Sequence, residues 1–146
     1  MLVLIAVAAL IGVSLVLVQG HRATLASQLL HQAIAERDLE GLEELLSMGA
    51  DIEALDAGGF TPLNTAVTSD SIEVADLLLQ HGADLASPIG KTELPCLHWV
   101  TQKGSTAMMR LLLKSSADAD AFSAKYGTPL FLALHGERKL SLLLDY

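Results

Sequence analysis

The chain has 146 residues, of which 51% are hydrophobic and 18% charged; that balance excludes a disordered chain and leaves room for one domain of ordinary size. Its single cysteine excludes a disulfide scaffold and a four-thiolate zinc site. Nine Lys and Arg stand against 17 Asp and Glu, a formal net charge of -8, the wrong sign for a nucleic-acid binder. The charge is also uneven. Residues 1–84 hold twelve acids and two bases (Arg22, Arg37), whereas residues 85–146 hold five acids and seven bases.

Leu2 to Val18 is a hydrophobic run of seventeen residues without a charge. As a helix it would rise about 25 Å against a hydrocarbon core of about 30 Å. Three readings compete: an uncleaved membrane anchor, which the length favours, a cleaved signal peptide, and a buried core helix. A signal peptide normally has a basic n-region, and none precedes this run. A helix apolar on every face needs cover on every face. The expectation is therefore a single-pass membrane segment over residues 1–22, followed by a separate domain over 23–146. Arg22 alone is a weak vote for a cytoplasmic domain, so the side of the membrane stays open between cytoplasmic and extracytoplasmic.

The remaining chain repeats. Leu30-His31-x-Ala33 recurs as Leu63-Asn64-x-Ala66, Leu97-His98-x-Val100 and Leu130-Phe131-x-Ala133, at spacings of 33, 34 and 33 residues. Gly49-Ala50-Asp51 returns as Gly82-Ala83-Asp84 and Ser116-Ala117-Asp118, and Leu45-Leu46 returns as Leu78-Leu79 and Leu112-Leu113. Three registers on one period identify a repeat architecture. In the best-formed unit, Thr61 is a predicted N-cap and Pro62 fits N1. Leu63 and Ala66 fall on one helical face, and the small Ala66 admits a neighbouring helix. A second helix is predicted from Ile72 to Gln80, with Val74, Leu77 and Leu78 inward and Gly82 as its left-handed stop. The third unit carries a stretched loop from Ser87 to Cys96. Five residues, Leu142 to Tyr146, close the fourth, about two short of register.

Thr61-Pro62-Leu63-Asn64-x-Ala66 and Thr128-Pro129-Leu130-Phe131-x-Ala133 resemble the T-P-L-H-x-A signature of the ankyrin repeat. The Leu-Leu-x-x-Gly-Ala-Asp helix ending is similar to that family too. The resemblance covers about residues 25–146. It implies an all-α solenoid of about four helix-turn-helix units, near 25–55, 56–88, 89–122 and 123–146. His31 and His98 would then be structural, bonding to turn backbone.

Sites for chemistry are sparse. No histidine pair has zinc-ligand spacing with a carboxylate, no phosphate-cradling glycine pattern occurs, and the acids of residues 36–44 lack calcium-loop spacing. Cys96 and His98 are two apart, which on a helix or turn points them in different directions. We expect no enzyme activity, no catalytic or metal-ligating residue, no cofactor, no small-molecule substrate and no nucleic-acid partner.

The family resemblance implies a protein partner, bound through turn tips and the concave face of the first helices. Carried over by position, the tip residues are Ala57, Gly58 and Phe60, then Lys125 and Tyr126. The helix-end residues are Thr68 and Ser69, with Gln102 and Lys103, and Trp99 lies on an inner face. Phe60, Trp99 and Tyr126 are three of six aromatics and the expected anchors. The expectation is a membrane-tethered interaction module. The alternatives are an inhibitor or immunity-type protein that occludes a toxin or enzyme and, more remotely, a subunit of a larger membrane complex.

Overall fold

A stripe of apolar residues at i, i+4, i+7 and i+8 makes one helix face inward, and Ala26, Leu30, Ala33 and Ile34 do this in the first helix, α1 (25–36). The computed structural model describes residues 25–92, 94–133 and 143–144. Next come α2 (Leu39–Ser47), α3 (Pro62–Thr68), α4 (Ile72–Gln80), α5 (Cys96–Lys103), α6 (Thr106–Lys114) and α7 (Pro129–Ala133). Residues 143 and 144 are again helical.

Local chemistry sets the boundaries. Asp38 caps α2, its Oδ1 accepting the Gly41 N–H at 3.0 Å. A Cβ at position 41 would collide with that carboxylate, so Gly41 serves the cap. Thr61 Oγ1 accepts the Asn64 N–H at 3.2 Å, with Pro62 beside it in the first turn of α3. Ser105 caps α6 through the Met108 N–H. Gly82 ends the α4 segment at φ +87, a left-handed stop that suits glycine. Ser116 holds the matching place after α6 at φ 67, where a side chain is strained.

The helices form two rows. α3 packs on its partner α4 and on α5, α5 packs on α7, and α2, α4 and α6 lie side by side. A contact between His31 and Thr65 sets α1 against α3. Leu63, Ala66, Val67, Ala75 and Leu78 are fully buried between the rows. Each hairpin completes its core only with its neighbours, as in other one-dimensional stacks. The stretched loop departs from a simple hairpin, as expected. It bridges Pro88 to Pro95 and makes a single 3-10 turn over Gly90–Thr92. Ile89 and Leu94 are thereby tucked into the interior.

The expected single-pass membrane location is not upheld. Among the described residues no helix is long and apolar enough to cross a membrane. Leu2–Val18, on which the expectation rested, lies outside the described residues, as do residues 134–142 and 145–146. Apolarity alone does not separate a lipid-facing helix from one with protein on every side.

The inner row is tied across the junctions by one recurring position. His31 Nε2 lies 2.8 Å from the Ala54 carbonyl oxygen and His98 Nε2 lies 2.9 Å from that of Gly127, each in the loop ahead. At the same register Asn64 Nδ2 donates to the Pro88 carbonyl at 2.6 Å. Both histidines are thus structural, as the sequence implied. His31 Nδ1 also meets Thr65 Oγ1 at 3.3 Å. Leu132 stands where Thr65 would recur, and His98 Nδ1 is buried without a partner.

Two stability changes follow. Ser116→Gly should raise the unfolding free energy by up to about 1 kcal/mol, by relieving the left-handed side chain. Thr65→Val should lower it by about 1 kcal/mol, by stripping His31 Nδ1 of its partner. Urea denaturation of both variants tests the pair.

Candidate functional site

The loops carry the exposed backbone of the stack, and a repeated aspartate shapes each of them. Asp51, Asp84 and Asp118 accept the N–H two residues on, from Glu53 at 3.0 Å, Ala86 at 2.8 Å and Asp120 at 2.9 Å. Asp56 does the same for Gly58 at 2.8 Å and also takes the Phe60 N–H at 2.9 Å. Such turns satisfy backbone locally and fix the carboxylate. Side chains then tie each of the first two loops to the unit before it. Ser27 Oγ accepts the Asp51 N–H, and Glu53 Oε1 accepts the Asp84 N–H, each at 2.8 Å.

The expected binding residues divide into two groups. Ala57 and Gly58 are exposed at the tip of the first loop (48–61), and Ser69, Gln102 and Lys103 are exposed at the ends of α3 and α5. Lys125 is exposed at the tip of the third loop (115–128), with its Nζ 5.1 Å from the ring centroid of the half-buried Tyr126. Three others have structural tasks. Phe60 is half-buried, and its ring lies so close to Gly90 that a Cβ there would sit 3.0 Å from it. Thr68 Oγ1 donates back to the Asn64 carbonyl at 2.9 Å. Trp99 is half-buried and packs against the core. Phe60 and Trp99 thus each pack one part of the ring inward and keep another part at the surface.

Two features escaped the sequence reading. One is a cavity of about 400 Å³ between α1 and the first loop, lined by Ser27, Gln28, His31, Ala54, Leu55, Asp56 and Ala57. The other is the fixed row of aspartates. The recurring Gly-Ala-Asp already placed three of its members at one register, but read as a helix ending it did not disclose their bonding.

Catalytic chemistry finds no support in the geometry around Cys96. The thiol is buried and donates to Asn64 Oδ1 at 3.0 Å, whereas His98 is engaged with Gly127. Burial, with the Asp84 charge adding to it, pushes the thiol up from 9.0 to about 12. A neutral, enclosed thiol is a poor nucleophile. Among the described residues no group of three His, Cys, Asp or Glu side chains could hold a metal ion.

The folded state holds the Cys96 proton more tightly than the unfolded chain does. Its contribution to stability should be complete below pH 9 and be lost as pH climbs toward about 12. Cys96→Ser should flatten that part of the stability profile. In the unmodified chain the thiol should resist disulfide-exchange reagents until urea opens the fold.

Comparison with known proteins agrees with this architecture. A family model for ankyrin repeats, in 3 copies, matches residues 5–89. The B-cell lymphoma 3 protein homolog of Mus musculus is 34% identical over 105 residues, which is 71% of this chain and 23% of that protein. Inversin of Canis lupus familiaris is 35% identical over 126 residues, 84% of this chain and 12% of that one. The crystal structure of the ankyrin repeat domain of Bcl-3, a unique member of the IkappaB protein family, matches with a TM-score of 0.72 at 33% identity. That match covers 80% of this chain and 50% of the other. The chain spans less than a quarter of the length of these two curated relatives. The repeat match begins at residue 5 and so takes in most of Leu2–Val18, which overturns the expected membrane location. With the repeating hairpins, the cross-junction His and Asn contacts and the family match all in agreement, the chain belongs to the ankyrin-repeat family.

Proposed function

We propose that this chain is a protein-interaction module, holding a partner against its loop edge and the exposed ends of its inner helices. The observation that carries the reading is the way the loop edge is built. Its backbone is fixed by the Asp turns and by the Ser27 and Glu53 bridges, while Ala57, Gly58, Ser69, Gln102, Lys103 and Lys125 are exposed. A surface held rigid before binding loses little conformational freedom on association. Stacked repeats characteristically offer extended concave surfaces of this kind. Phe60, Thr68, Trp99 and Tyr126 support the surface more than they project from it, so its anchors come from the partner as much as from this chain.

The test is affinity capture from the native source, with a charge-altered surface as control. Wild-type chain should retain one partner in stoichiometric amount, and Ser69→Arg/Lys103→Glu should lose it. Both positions are exposed, so unchanged circular dichroism should accompany the loss. Adding purified chain to the partner then separates two mechanisms: a fall in the partner's activity marks an inhibitor, and unchanged activity marks a scaffold. Failure to retain any partner would overturn the reading.

A further inference from the structure

We propose that the partner presents a basic segment with one aliphatic side chain, which seats in the cavity between α1 and the first loop. This rests on the interaction-module reading and adds the chemistry of the partner and the place where it docks.

The cavity gives the first half of the argument. Its volume, about 400 Å³, lies at the small end of the range for binding cavities, with room for an aliphatic side chain and the backbone beside it. Ala54, Leu55 and Ala57 supply apolar wall, and Leu55 is 66% exposed at the mouth. Leu25, on the neighbouring α1, is 58% exposed. An aliphatic guest would cover apolar surface that water now meets. The walls are already fixed. Ser27 is tied to the Asp51 N–H, His31 lies against the Ala54 carbonyl, and Asp56 holds both Gly58 and Phe60. No rearrangement is needed before the guest enters.

Charge gives the second half. Between Arg37 and Lys91 there is no lysine or arginine, while eleven aspartates and glutamates fall in that stretch. Asp56 lines the cavity, Asp51 is bonded to its wall through Ser27, and Glu53 joins the same loop to Asp84 in the next one along the edge. Asp51 and Asp84 are exposed, and each has its Oδ1 engaged by backbone N–H. A row of carboxylates held in place attracts a cationic segment and repels an acidic one. The occupant favoured by wall and rim together is therefore a lysine- or arginine-bearing stretch carrying leucine, isoleucine or valine. An acidic or purely polar segment fits neither.

Three fluorescent peptides test this against the full chain by anisotropy: a lysine-rich peptide with a central leucine, the same peptide with serine for leucine, and a glutamate-rich peptide with the leucine. The first should bind, and more weakly as salt is raised. The serine peptide should bind about tenfold more weakly, and the glutamate peptide should not bind. Leu55→Ser should remove the preference for leucine over serine. Asp51→Asn/Asp84→Asn keeps the turn acceptors and removes the charge, and it should weaken the leucine peptide about tenfold. Equal binding of the leucine and serine peptides would reduce the interaction to diffuse charge and overturn the proposal. So would indifference to Leu55→Ser, or stronger binding of the glutamate peptide. If all three peptides fail while captured partner is still lost in Ser69→Arg/Lys103→Glu, the docking proposal falls and the interaction-module reading stands.

Discussion

No hairpin in this chain can bury its own apolar face, and the structure depends on how each one is joined to the next. The join is made at the position after the inner-helix leucine. His31 sets an imidazole nitrogen against the Ala54 carbonyl and Asn64 donates an amide N–H to the matching Pro88 carbonyl, while His98 reaches the Gly127 carbonyl, nearer the next inner helix. A buried carbonyl without a partner is costly. This one position therefore satisfies the loop and fixes the spacing between adjacent inner helices. Hydrophobic packing supplies most of the stabilisation, and the polar contact decides the register in which packing occurs.

That constraint reaches the surface. Because each loop is pinned from below by the preceding helix, its outward atoms are free to bond along the edge. Aspartates organise each loop, and Glu53 links the first loop to the Asp84 N–H of the second. The acidic character of the first half is thus partly architectural: Asp38 caps a helix, and Asp51, Asp56 and Asp84 cap turns. A binding surface with fixed negative charge arises from residues whose local task is to satisfy backbone N–H groups.

Much of this was legible in the sequence. Thr61, Pro62, Ala66 and Gly82 each announced a helix start, a close approach or a stop, and the structure uses them so. The structural role of His31 and His98 was implied by the resemblance to ankyrin repeats, and both make the backbone contact it implies. The surface was less legible. Aromatic type suggested Phe60 and Trp99 as anchors, but a side chain's projection depends on its neighbours in space. Gly90, thirty positions from Phe60, receives the Phe60 ring. The cavity beside Leu55 was hidden for the same reason, since its walls come from α1 and a loop about twenty-five residues later. The apolar run of Leu2–Val18 misled because hydropathy records how much a segment avoids water and not what covers it.

The repeats are equivalent in backbone and unequal in bonding. At the first junction His31 has both ring nitrogens near acceptors or donors, through Ala54 and Thr65. At the second, Asn64 is matched on both sides of its amide, by the Pro88 carbonyl and the Cys96 thiol. At the third, Leu132 replaces the threonine and leaves His98 Nδ1 unpartnered. Along the loops, Ala86 stands where Glu53 would recur, and it has no carboxylate to reach the third loop. A cavity of about 400 Å³ lies there, lined in part by Ala86 and Asp118. In a one-dimensional stack, stability is close to a sum of units and nearest-neighbour interfaces. Among the described residues the third junction therefore carries fewer polar bridges than the first two.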